Sequence, residues 1–370
     1  MPITIDGSNG ITQAGEFNSD STFGFKNRII NGAMVIDQRN AGASVSIAAG
    51  GSPFTLDRFR SDNSTDGAVT VQRVTDAPTG FVNSMKYTVT TADASLASTQ
   101  YLALNHFIEG FNTADLMWGT ANAKTITISF WVKSSITGNY PIAFDNNAGT
   151  RFYIEQYSIS SANTWEYKTV TIAGDTSGTW LTNNERGVNV RWWLGSGTGW
   201  EGTVNSWQTG AKYTFSGAAS VIGTLNATWQ VTGVQLEVGS TATSFDYRPY
   251  GTELALCQRY FQRISGSDIT LTVGQCDSTS GVYGAPVFFV QEMRATPTIT
   301  FPAVGSSAGQ ASFLTATGGY PATFGTVLAQ SVRTNGFTIR GLSFTSAFTA
   351  GNASGYYFAG TATITVSAEL

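Results

Sequence analysis

One histidine, His106, and two cysteines, Cys257 and Cys276, are all this chain offers to chemistries that depend on imidazole or thiolate. A Ser–His–Asp triad would have to be built on His106, and no G-x-S-x-G turn accompanies it. One histidine and two distant cysteines cannot assemble a zinc site. Neither a Walker loop nor a dinucleotide fingerprint is present, so no cofactor is expected and His106 is read as structural. Oxygen ligands gather in residues 57–66, DRFRSDNSTD. Asp62, Asn63 and Asp66 could offer part of a calcium shell there, but no bidentate glutamate closes the loop. The segment is read as an Asx-rich turn, with Asp62 and Asp66 as the calcium candidates and no metal expected. Glycoside cleavage needs two carboxylates about 5 to 9.5 Å apart, one with a raised pKa. Glu155, Glu166, Glu185, Glu201 and Glu237 are available, and nothing in their spacing pairs any two. A catalyst is therefore not expected.

Aromatic residues carry the stronger signal. Trp180, Trp192, Trp193, Trp200 and Trp207 cluster around glycine-rich turns. Trp192 and Trp193 are adjacent in a strand-like run and must face opposite sides, one towards a core and the other exposed or covered. Trp200, flanked by glycines, and Trp207 are candidates for holding a sugar ring by stacking, the alternative being that they fill a core. Further along, Tyr320, Tyr356 and Tyr357 flank the glycine-rich loops GGYP and SGYYFAG. Tyrosines on such loops present large contact area at low entropic cost, and Tyr320 and Tyr356 join the glycan-binding candidates. Packing between subunits would use the same residues.

The elements that must position these side chains are almost all strands. Residues 68–74, 84–90, 102–108, 125–133, 151–159, 166–172, 188–194 and 229–238 read as strands separated by turn clusters. In TITISFWVK, Ile126, Ile128, Phe130 and Val132 share one face. The spacing predicts an all-β, antiparallel sandwich over residues 27–250. Leu254, Cys257, Phe261 and Ile264 then recur at helical spacing and predict a short amphipathic helix over residues 252–264, with Thr252 as its cap. A helix this short cannot stand alone, so its apolar stripe must be buried against its own domain or against copies of itself. Residues 266–370 return to short, glycine-rich strands, a small β tip whose thin core suggests stability shared between copies. Residues 1–26 hold isolated apolar residues in a polar stretch and read as a disordered tail or as an arm that orders on docking.

The segments QLE-V-G, ATSFDYRP and ELALCQRYFQ within residues 231–262 resemble a module of tailed-bacteriophage tail-fibre and host-attachment proteins. NRIINGAMVIDQR at 27–39 and EMRATPTIT at 292–300 resemble further parts of it. The resemblance implies a jelly-roll sandwich, a connecting helix at 251–265 and a C-terminal β-sandwich tip at 266–370. It implies a virion structural protein, a tail fibre recognising host-surface polysaccharide, docked to other tail proteins by the N-terminal arm. On that reading the chain is a homotrimer with Leu254, Cys257, Phe261 and Ile264 as its seam. The alternatives are a capsid-surface or other structural fibre without a receptor, and a polysaccharide depolymerase.

Composition agrees with that setting. Only 12% of residues are charged, about half the usual share of roughly 25%. The net charge of −4 and the scattered basic residues argue against nucleic acid. No run is long and apolar enough to cross a bilayer, so membrane insertion is not expected. The N-terminus has no signal-peptide pattern, which leads to the expectation of synthesis in a host cytoplasm and a final place in the virion. Cys257 and Cys276 are expected to remain unpaired.

Overall fold

The computed structural model describes residues 4–6, 10–13, 25–278, 281–314, 318–321, 324–344 and 348–370. Strands β1 (Thr4–Asp6) and β2 (Gly10–Gln13) pair antiparallel. The rest of the expected N-terminal arm up to residue 24 lies outside the described residues.

The next strands are β3 (Val45–Ile47), β4 (Phe54–Leu56), β5 (Phe59–Asn63), β6 (Ala68–Val74), β7 (Ser84–Thr91) and β8 (Tyr101–Glu109). They continue as β9 (Ile126–Ser134), β10 (Gly138–Asp145), β11 (Phe152–Ile159), β12 (Glu166–Ile172), β13 (Arg186–Ser196), β14 (Trp207–Gln208) and β15 (Thr228–Val238). They form two antiparallel sheets in the orders β14-β11-β10-β13-β8-β5-β4 and β12-β9-β15-β7-β6-β3, a jelly-roll sandwich. The alternation in β9 is met in full, since Ile126, Ile128, Phe130 and Val132 are all buried in the core between the sheets. The opposite sheet answers with Leu102, Leu104, Ile142, Phe144, Val190 and Trp192.

Five sandwich strands escape a reading of the sequence: the short β3, β4 and β14, and the longer β5 and β10. The expected Asx-rich turn at 57–66 contains β5, and β10 occupies a stretch rich in turn formers. Pro141 is tolerated in β10 because the ladder to β13 begins one residue later, at Ile142.

The expected helix is corrected at both ends. Helix α1 spans Tyr250–Gln258 with Pro249, not Thr252, at its N-cap. Phe261 and Ile264 belong instead to β16 (Phe261–Cys276). A helix of two to three turns has few internal hydrogen bonds, whereas β16 gains a long ladder against the returning C-terminal strand. That strand places Phe261 opposite Ser367 and Ile264 opposite Ile364.

The tip comprises β16, β17 (Val282–Phe288), β18 (Thr298–Thr300), β19 (Gln310–Leu314), β20 (Thr326–Arg333), β21 (Gly336–Leu342) and β22 (Ala353–Ser367). Its main sheet runs β18-β22-β16-β17-β21-β20, with β19 also paired to β22. The core there holds Cys276, Phe313, Phe337, Ile339, Tyr356 and Phe358. Both cysteines are free and buried, Cys257 between the sandwich and the tip and Cys276 within the tip.

The seam expected between sibling chains is also corrected. Cys257 is packed with Ile30, Ile36, Phe107, Tyr260 and Leu370 of its own chain, and Leu254 packs on the same cluster. Phe261 is buried as well, under the Arg39 guanidinium at 3.7 Å from its ring centroid. Ile264 packs on the tip core. The stripe is covered inside one subunit because the chain returns to it twice. Residues 25–44 run beneath α1, where Glu253 accepts from the Asn31 backbone and pairs with Arg248. The C-terminus then closes the other side. Glu369 bridges Arg39 at 2.7 Å and also pairs with the fully buried Arg58, whose guanidinium lies 3.5 Å from the Tyr260 ring centroid. Glu109 holds Arg259 at 2.6 Å and accepts from the Tyr260 hydroxyl at 2.6 Å.

His106 is buried on β8, its Nε2 3.2 Å from the Ile30 carbonyl. Burial, reinforced by the Arg58 charge, holds its pKa well below the ordinary imidazole range, so the ring is neutral. The structural reading of this residue agrees with its surroundings.

Candidate functional site

Strand pleating sorts β13 into two rows. Val188, Val190, Trp192 and Leu194 enter the core, while Asn189, Arg191 and Trp193 point to the outer face of the sheet. The register sets Arg191 beside Asn105 of β8 and Ala143 of β10, Asn189 beside Phe107 and Asp145, and Trp193 beside Ala103. One strand further, Asn105 lies beside Arg60 and Ala103 beside Asp62. Polar and aromatic side chains of four adjacent strands are thus delivered to one surface.

At one end the aromatics form a stack. The Trp193 indole lies between Tyr101, 4.6 Å away and inclined by 24°, and Tyr213, 4.7 Å away and inclined by 11°. Trp200 meets the stack edge-on, 5.6 Å from both Tyr101 and Trp193. Tyr101, Trp200 and Tyr213 are half-buried rims around a covered centre. Beside them opens a cleft of about 190 Å³ whose walls include Pro141, Trp193, Glu201, Thr214 and Ser220. Within it, Trp193 Nε1 and Thr214 Oγ1 are buried and have no protein partner among the described residues. A buried polar group without a partner is costly, and both residues line the cleft.

At the other end the face is charged. Asp145 accepts from Arg191 at 2.6 and 3.1 Å and from Asn189 at 2.8 Å. Arg191 also donates to Asn105 at 3.0 Å, and Asn105 donates to Asp62 at 3.0 Å. Arg60 pairs with Asp62 at 2.8 Å. Burial works against the Arg191 charge, yet the Asp145 carboxylate more than offsets it and holds the guanidinium above its ordinary range. Burial pushes the Tyr213 and Tyr101 hydroxyls up, so both remain neutral donors.

Of the residues expected to bind sugar, Trp200 alone belongs to this face. Trp207 is built into a separate trio with Trp118 and Trp180, at centroid distances of 5.2 and 5.4 Å. Its indole N–H donates to the Ala173 carbonyl at 2.8 Å, which makes it a packing residue at the sandwich rim. Tyr356 is fully buried in the tip core, a correction forced by β22, where inward and outward residues alternate. Its neighbour Tyr357 takes the outward position and donates to Asp268 at 3.3 Å. Tyr320 is exposed to 37% and contacts Phe324 and Tyr357 edge-on. The calcium candidates are not brought together. Asp62 is buried against Arg60 and Asn105, while Asp66 is exposed and donates its backbone N–H to Asp93. No group of three or more potential metal ligands occurs among the described residues.

Tyr101, Asn105, Asp145, Arg191 and Tyr213 were missed. A signal for part of the set existed: in residues 189–193, NVRWW, polar residues alternate with core residues in an otherwise buried strand. A polar outer row on a central strand marks a surface kept for something other than packing.

No family model matches the chain, and no curated protein matches it. Solved structures do. A tailspike enzymatic domain of bacteriophage CBA120 aligns over 58% of this chain and 22% of its own length, with 10% identity and a TM-score of 0.32. A family 11 carbohydrate-binding module from Clostridium thermocellum, in complex with a mixed-linked tetrasaccharide, aligns over 55% of this chain and 99% of its own, with 12% identity and a TM-score of 0.27. A family 61 module in complex with β-1,4-galactotriose aligns over 49% and 88%, with 9% identity and a TM-score of 0.25. With TM-scores this low, none of them says what this chain binds.

Proposed function

We propose that this chain is a non-enzymatic attachment protein of a tailed-phage virion, a tail fibre that holds a host-surface glycan on the outer face of β8, β10 and β13. The observation that carries the reading is the cleft beside the aromatic stack. There the Trp193 indole N–H and the Thr214 hydroxyl are buried without protein partners, next to Glu201. Sugar rings offer C–H faces to aromatic rims and hydroxyls to such groups, and the half-buried Tyr101, Trp200 and Tyr213 supply the rims. Glu201 is the only carboxylate among the described residues that line the cleft, whereas glycoside cleavage needs two, which is why no catalysis is included. The virion setting rests on the tail-fibre resemblance and on the low charge content.

A screen of the full chain on an array of bacterial surface glycans tests this. Trp193→Phe keeps an aromatic ring in the stack and removes the N–H together with part of the bicyclic indole. It is expected to weaken the best ligand about 3- to 10-fold, the worth of one neutral hydrogen bond, while the melting temperature falls only as far as a smaller ring in the stack requires. Binding that is indifferent to this change, or that maps to Tyr320 instead, would contradict the assignment.

The homotrimer is kept in the proposal, with its contact moved off the α1 stripe, which is covered within the subunit. Light scattering on the purified chain is expected to give about three times 39.3 kDa. A mass of one subunit removes the assembly and leaves the glycan site standing.

A further inference from the structure

The charged end of the same face holds more positive than negative groups, and their arrangement is specific. The guanidinium carbons of Arg186, Arg60 and Arg191 lie 4.0, 4.8 and 5.6 Å from the centroid of a single ring, that of Phe107. Asp62 pairs with Arg60 and Asp145 with Arg191. Arg186 has no ion pair or side-chain hydrogen bond among the described residues. Its pKa falls to about 10, first because it is partly buried and then because Arg60 and Arg191 stand close to it. Three cations against two anions leave one positive charge without a partner beside an aromatic ring.

Acceptors are present too. Asp62 Oδ1 and Asn189 Oδ1 are buried on this face without a donor among the described residues. A bare inorganic anion would satisfy Arg186 and leave those acceptors unused. A molecule carrying both an oxyanion and hydroxyl donors satisfies both.

We propose that the outer face reads an acidic saccharide, whose carboxylate docks on Arg186 between Arg60 and Arg191 and whose hydroxyls donate to Asp62 and Asn189. The inference rests on the glycan-binding reading above and names its ligand class. A carboxylate brings one charge and neutralises the excess; a phosphate ester, with nearly two, would leave the recess negative. Arg191 spans the two halves of the face, its guanidinium carbon 5.2 Å from the Tyr213 centroid as well as near Phe107. A chain resting its neutral residue at the aromatic stack would therefore present its acidic residue to the arginines.

The test uses the full chain on an array carrying uronic-acid and sialic-acid oligosaccharides, their carboxyl-reduced counterparts, and sulfated and phosphorylated oligosaccharides. A carboxylated glycan is expected to bind about 10-fold or more tighter than its reduced form, as a charge-assisted hydrogen-bond pair implies. That preference should shrink with added salt. Arg186→Gln is expected to remove the preference while leaving neutral-glycan binding unchanged, with a small drop in melting temperature, since it breaks no ion pair and gives up only its stacking on Phe107. Equal binding of acid and reduced forms, a preference for sulfated or phosphorylated sugars, or an acid preference that survives Arg186→Gln each overturns the inference and spares the glycan site. Binding to no glycan on the array overturns both.

Discussion

Replacing Glu369 by alanine is expected to detach the tip from the sandwich. Among the described residues Glu369 is the only carboxylate paired with Arg58, a guanidinium with almost no solvent contact, and it pairs with Arg39 as well. Removing it leaves a buried cation uncompensated, which costs about 3–5 kcal/mol. The loss falls at the junction, because the flanking residues Ala368 and Leu370 are what the C-terminus lays against Tyr260 and the α1 cluster. Denaturant unfolding should therefore change from one transition to two, with the tip melting first, and limited proteolysis should cut near residues 259–262. Arg39→Ala serves as the comparison. Arg39 is partly solvated, and its loss leaves Glu369 with Arg58, so it should cost clearly less. A Glu369→Ala variant that unfolds in one transition at the parent midpoint would show that the clasp does not couple the two bodies.

Trp192→Ala is the second large effect. The indole is fully buried between the sheets, edge-on to Phe130 at 5.8 Å and 89°. Truncating a tryptophan in a close-packed interior costs about 3–5 kcal/mol, from lost transfer energy and from the cavity left behind. The change should lower the melting temperature without altering which glycan is preferred among molecules that remain folded. Trp193→Phe, one residue away, should weaken glycan binding and cost clearly less stability, since an aromatic ring stays in the stack. A Trp192→Ala variant of near-parental stability would mean that the two sheets close over the gap. A shifted glycan ranking would mean that the two faces of β13 are not independent.

This adjacent pair marks how far the sequence can be read. That Trp192 and Trp193 take opposite faces follows from the pleat. Which of them enters the core, and what covers the other, depends on Tyr101 and Tyr213, which lie far from the pair along the chain or arrive on an irregular segment. The same holds for Tyr356 and Tyr357: alternation separates them, but the tip sheet chooses Tyr356 for the core. Asp62 was legible as an oxygen ligand and not as a strand residue, because Asn105 meets it only across a β-ladder and Arg60, two residues earlier, shares its face only once the segment is extended. The α1 stripe shows the limit most clearly. Its spacing demanded burial, and no local pattern could reveal that residues 25–44 and the C-terminus would supply the cover.

By itself the amino-acid order determined an all-β chain, its sandwich strands to within a few residues at most positions, and the absence of motifs for histidine, zinc or nucleotide chemistry. These are properties of periodicity and composition, which are local. The convergence of Arg60, Arg186 and Arg191 on Phe107, the cleft at Trp193 and the clasp at Glu369 were decided only by the tertiary structure. Each joins groups that are distant in sequence, and only the packing of the folded chain brings them within reach of one another.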